Sequence, residues 1–127
     1  MEASRQNQIW NRACLEATGF EPAAGDKALA SLLLAHGLAM NGGVVHALEG
    51  LSPAELAAAI AGFKYFGLTA AAHVFEQVPD DTEETEERLD QMYWQAVPSD
   101  DALVHAFRIK LVASPEAFAP TASDAHV

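Results

Sequence analysis

Histidines, one cysteine and a dense run of carboxylates are the side chains in this sequence that could do chemistry. The five histidines, His36, His46, His73, His105 and His126, are scattered. None stands in an HxH, HExxH or other paired-ligand spacing, although His73 and Glu76 share a helix face at a separation of three. A metal ion needs convergent ligands and groups that orient them, so no metal is expected. Cys14 could be a nucleophile served by a distant histidine, but its register on an apolar stripe reads as an inert core thiol. No GxSxG, phosphate loop or dinucleotide fingerprint occurs, so the chain reads as a non-enzyme with no cofactor. Gly42-Gly43 lacks the flanking strand and further glycines of a phosphate site and reads as a helix-to-helix corner. The alternative is a small-ligand or catalytic pocket there, lined by Asn41, Gly42, Gly43, His46 and His73.

The carboxylates are the stronger signal. From Glu76 to Asp101 there are ten acids and one base, Arg88, so this stretch carries -9 of a net charge of -11. Residues 79–90, PDDTEETEERLD, hold seven of those acids. As helix, residues 80–90 rise about 16 Å, roughly one charge per 2.3 Å, against about 1.7 Å per charge on duplex DNA. Glu83 with Glu87 and Glu86 with Asp90 repel at a spacing of four, whereas Glu84 with Arg88 attracts, so stability does not explain the excess. The expected binding face comprises Asp80, Asp81, Glu83, Glu84, Glu86, Glu87, Asp90, Asp100 and Asp101, with Trp94 in register with Glu83, Glu87 and Asp90. Trp94 either anchors an interface or is covered by a neighbouring helix.

The elements that must position these residues are helical. No β-branched alternation persists, so the expected fold is all-α, a single compact domain of about six or seven helices without a sheet. A helix near residues 2–18 aligns Ile9, Trp10, Ala13, Cys14 and Ala17, with Gly19 as its stop. A second, near 25–40, is apolar almost all round through Leu29, Leu32, Leu33, Leu34, Leu38 and Met40 and should be central. Asn41-Gly42-Gly43 interrupts it, and VVHALEG forms a short helix to Gly50. Ser52 as cap, Pro53 at the first position, Glu55 completing a capping box and the Leu51–Leu56 staple fix the next start. That helix should run to about Phe66, with Gly67 ending it and LTAAAHVFEQV making another before Pro79. Asp80 or Asp81 should cap the acidic helix, whose inward stripe is Thr82, Thr85, Leu89, Met92, Tyr93 and Ala96. Ser99 should cap a last long helix with Leu103, Val104, Phe107 and Leu111 inward, before a turn carrying Phe118. The helical domain should span 1–118, leaving 119–127 as a flexible tail.

Half of the 127 residues are apolar and a fifth are charged, a globular balance. One cysteine excludes an intrachain disulfide, no signal peptide is visible, and the longest apolar run falls short of the ~20 residues that cross a bilayer. A cytoplasmic protein is expected. The negative charge opposes direct binding to nucleic acid or an anionic membrane and favours a basic partner.

Several stretches together resemble the DNA-mimic-protein-like family of acidic, all-helical bacterial domains. They are LLLAHGLAMNGGVVHALEG, SPAELAAAIAGFKYFGLTAAAHVFEQV, ERLDQMYWQA and ASPEAF, covering roughly residues 29–118. The resemblance centres on Asn41-Gly42-Gly43, on Leu89 to Trp94, and on Ser114 to Phe118; after Gly43 this chain departs with Val44, Val45, His46, Ala47 and Leu48 where the family has aromatics. Most such domains have no assigned function, and the resemblance implies a DNA-mimic role that blocks a DNA-binding regulator. The expected function is therefore a non-enzymatic acidic interaction module for a basic protein, with self-association into a homodimer a further expectation. The rivals are the corner pocket and an acidity that serves only solubility.

Overall fold

Alanine, leucine and glutamate dominate the periodic stretches, and the backbone follows them. A computed structural model describes residues 4–15 and 20–121, which form seven α-helices and no strand. They are α1 (Arg5–Cys14), α2 (Ala24–Gly42), α3 (Val44–Gly50), α4 (Pro53–Tyr65), α5 (Thr69–Phe75), α6 (Glu83–Ala96) and α7 (Asp100–Ala113), followed by a 3₁₀ turn, Pro115–Ala117. No helix among them is long and apolar enough to cross a membrane.

The all-round apolar helix is central: α2 packs against α1, α3 and α4 and buries Leu29, Leu32, Ala35 and Ala39. Its contact with α4 is close enough that a Cβ on Gly62 would lie 2.5 Å from the Ala28 carbonyl oxygen. The α4 start matches its sequence signature. Ser52 Oγ accepts from Glu55 N–H at 3.1 Å, Glu55 Oε1 accepts from Ser52 N–H at 2.8 Å, and Pro53 opens the helix. Its end is a Schellman turn, with Leu68 N–H donating to Phe63 O and Gly67 at φ +76°. Two aromatic groups fill the gaps that the alanine-rich faces leave. Phe63 stacks on Phe75 at 5.4 Å with Tyr93 edge-on to both, while Phe66, Phe107 and Phe118 meet beneath Trp10.

Five local expectations change. The first helix ends at Cys14, which is exposed rather than part of the core, because the apolar stripe is covered only as far as Ala13. Ala17 and Gly19 lie outside the described residues. The second helix runs through Asn41 and Gly42 and breaks only at Gly43, at φ +92°. The acidic helix is capped by Thr82, whose hydroxyl accepts from Thr85 N–H, and not by Asp80 or Asp81. Ser99 precedes α7 without a side-chain capping bond. Finally, the packed chain continues past 118: Ala119 and Thr121 are buried.

The last point has an electrostatic cause. Asp26, only 4 % exposed, accepts from Ala23 N–H at 3.0 Å, from Ala119 N–H at 2.7 Å and from Arg12 Nη2 at 2.8 Å. Arg12 also donates to the carbonyls of Ala119 and Pro120. Residues 119–120 are thus tied to α1 and α2 by one buried ion pair.

Candidate functional site

The acidic helix begins with two threonines three residues apart whose hydroxyls build its start; Thr82, expected on the inward stripe, is exposed. Thr85 is buried, and the hydroxyls of Thr85 and Thr82 donate to Asp80. These bonds, that from Thr85 foremost, hold the Asp80 carboxyl below its usual range. Asp80 is therefore a structural anion at the helix start, and Asp81 beside it occupies a left-handed turn at φ +66°. Glu83, Glu84, Glu86 and Glu87 follow, all exposed, and none forms an ion pair among the described residues. At 100° per residue they cover an arc of about 160°, opposite the buried Thr85, Leu89 and Tyr93. Four uncompensated carboxylates within about 6 Å of helix rise form one continuous anionic face.

Asp90 does not belong to that face. It is turned toward the corner, where Oδ1 accepts from Val44 N–H at 2.9 Å and the carboxylate lies against Gly43. A carboxylate on the first turn of α3 occupies the place an anionic ligand would take. The rest of the corner is filled in the same way. A Cβ on Gly42 would lie 2.6 Å from the His46 ring, while Asn41 and His46 are exposed. His73, also exposed, bonds Gln77 through Nε2, and its helix neighbour Glu76 pairs with Lys64 at 3.6 Å. Among the described residues no three His, Cys, Asp or Glu side chains converge as a metal would require.

Trp94, Asp100 and Asp101 gather at the other end of α6. Trp94 is 44 % exposed and, with Met40 at 50 %, borders a depression of about 370 Å³ that also includes Pro98, Asp100 and Asp101. Glu83 and Trp94 are eleven residues apart, roughly 16 Å along the helix, so the acidic surface has two separate parts.

Sequence reasoning missed a relay that runs from the buried Tyr93 through His36 to the exposed Asp100. His36 Nδ1 lies 2.7 Å from the Tyr93 hydroxyl and Nε2 lies 2.8 Å from Asp100 Oδ1. A carboxylate only accepts, so Nε2–H donates to it, and in the neutral ring Nδ1 accepts from Tyr93. Burial, with the Asp100 charge adding to it, pushes the Tyr93 phenol well above its usual range, so it stays a donor. Cys14 borders the same cleft as His36, yet both imidazole nitrogens are already engaged, and no base is presented to the thiol among the described residues. Partial burial and then the Asp100 charge also push the Cys14 thiol up, the opposite of nucleophile activation. The relay spans sequence separations of 57 and 64 residues, so no local motif could announce it. No protein-family model, curated protein or solved structure matches the chain.

Proposed function

We propose that this chain is a non-enzymatic acidic interaction module that presents Glu83, Glu84, Glu86 and Glu87 to a basic partner protein. A DNA-binding regulator is the partner such a face suits, because closely spaced carboxylates compete with phosphates for the same basic groove. The observation that carries the reading is that all four are exposed and without an ion pair among the described residues, although like charges so placed repel by a few tenths of a kcal/mol per pair. Asp81 extends this face; Asp80 and Asp90 support the fold beneath it. Trp94 with Asp100 and Asp101 forms a second contact region in which an aromatic anchor sits beside carboxylates.

The test is capture from host extract by the wild-type chain and by a variant with Glu83, Glu84, Glu86 and Glu87 all replaced by Gln. The reading expects basic proteins retained by the wild type at low salt, released at high salt and absent from the variant. If the variant retains every captured protein as well as wild type does, this face is not the interface.

A further inference from the structure

A cleft of about 410 Å³ opens between α1, α2 and the start of α7, away from the acidic helix face and from the Gly42-Gly43 corner. That volume lies in the roughly 300–1,000 Å³ range of small-molecule sites. Its walls are apolar, from Trp10 on α1, Leu33, Leu34 and Leu38 on α2, and Leu103 on α7. Its ionisable groups are Cys14, His36 and Asp100, so the lining holds a carboxylate and neither lysine nor arginine.

Gly37 borders this space. A glycine inside a helix weakens it relative to alanine, and most need a packing reason. Gly62 has one, the Ala28 carbonyl at 2.5 Å from a built Cβ, and Gly25 has another, the Phe118 ring at 2.8 Å. Gly37 has none: a Cβ there meets nothing within 4 Å, and the residue borders the cleft. Gly37 is exposed at the edge of the cleft, so a side chain placed there has open space to occupy.

The polar end is preorganised. Asp100 is 74 % exposed, with Oδ1 held by His36 Nε2–H, and His36 is fixed from behind by the Tyr93 hydroxyl. The carboxylate is oriented by the His36 bond to Oδ1, and its second oxygen is open to a donor. That charge is felt at the cleft rim, where it adds to the upward shift of the Cys14 thiol. We propose that the cleft binds a small apolar amine, its hydrocarbon against Trp10, Leu33 and Leu34 and its ammonium on the Asp100 carboxylate. Charge complementarity selects the cation: an acceptor-only carboxylate in an apolar wall disfavours a carboxylate ligand and gives an alcohol only one neutral hydrogen bond.

The probes are n-octylammonium, octanol and octanoate, which share one hydrocarbon tail and differ in head group. Binding to the full chain is read by Trp10 fluorescence in a Trp94→Phe background and by protection of Cys14 from alkylation. Octylammonium should saturate both signals, about 3-fold tighter than octanol, with octanoate weaker still. Asp100→Asn should reduce the amine to the alcohol's affinity. Gly37→Leu, which adds a side chain at the cleft edge, should weaken binding of both. The four-Gln variant of Glu83, Glu84, Glu86 and Glu87 should bind octylammonium as the parent does, which separates this site from that four-carboxylate face; Asp100 is shared with the Trp94 contact region. Equal affinities for the three probes, no saturable signal with any of them, unchanged binding in Gly37→Leu, or loss of binding in the four-Gln variant would each overturn the assignment.

Discussion

Replacing Asp26 with Asn tests how the two ends of the fold are joined. The carboxylate receives two backbone N–H groups, at 3.0 and 2.7 Å, and the Arg12 guanidinium, at 2.8 Å. An amide of the same shape keeps one acceptor oxygen and turns the other position into a donor. It can serve either Arg12 or the two backbone groups, but not all three. Hydrogen bonds to a charged group contribute about 1.5–3 kcal/mol each, and breaking a buried ion pair from one side costs about 3–5 kcal/mol. Arg12 keeps the Ala119 and Pro120 carbonyls, so the lower end applies, about 3 kcal/mol. For a chain of this length that is roughly a 10 °C fall in Tm. Urea unfolding followed by circular dichroism at 222 nm measures it. Hydrogen exchange of the Ala119 amide should accelerate in step, because its acceptor is Asp26 Oδ2. A loss below about 1 kcal/mol, with Ala119 still protected, would refute the buried latch and return residues 119–121 to a tail.

Glycine offers a matched pair. Gly62→Ala should cost about 3 kcal/mol or more in urea unfolding by forcing α4 off the Ala28 carbonyl, whereas Gly37→Ala should stabilise by up to about 1 kcal/mol. Asp90→Ala should destabilise by about 1 kcal/mol, seen in thermal melts, because it removes the acceptor for Val44 N–H. Asp80 carries a pH dependence: its folded pKa lies below the ordinary 3.8, so its contribution is complete above that value and is lost as pH falls through the folded pKa. A carbon-detected NMR titration should find its midpoint below the ordinary 3.8, and Thr85→Val should move it up.

The helix starts and stops that depend on neighbouring residues were legible. Ser52, Pro53 and Glu55 act within one turn, and Gly67 must supply a positive φ that the turn requires, so local chemistry settles both. The acidic helix was read with the wrong cap although its signal was present: Thr82 and Thr85 stand three apart, as a capping hydroxyl and its target N–H must. Cys14 shows the limit of periodicity, which finds the apolar stripe of α1 but not where α2 and α7 stop covering it. Asp26 with Ala119, and His36 with Tyr93 and Asp100, meet only through the tertiary fold, so no spacing in the chain encodes them. The acidic stretch was visible as charge. That Asp80 and Asp90 are hydrogen-bonded at the helix start and the corner, while Glu83, Glu84, Glu86 and Glu87 form no ion pair among the described residues, required the backbone that places them.

The central claim, that this four-carboxylate face contacts a basic partner, is tested most directly by titrating the captured partner at increasing salt. Wild-type affinity should fall about 10-fold or more between about 50 and 200 mM salt. The four-Gln variant, with an unfolding free energy within about 1 kcal/mol of wild type, should bind weakly and with a flattened salt dependence. Equal affinity and equal salt dependence for the two proteins would contradict it.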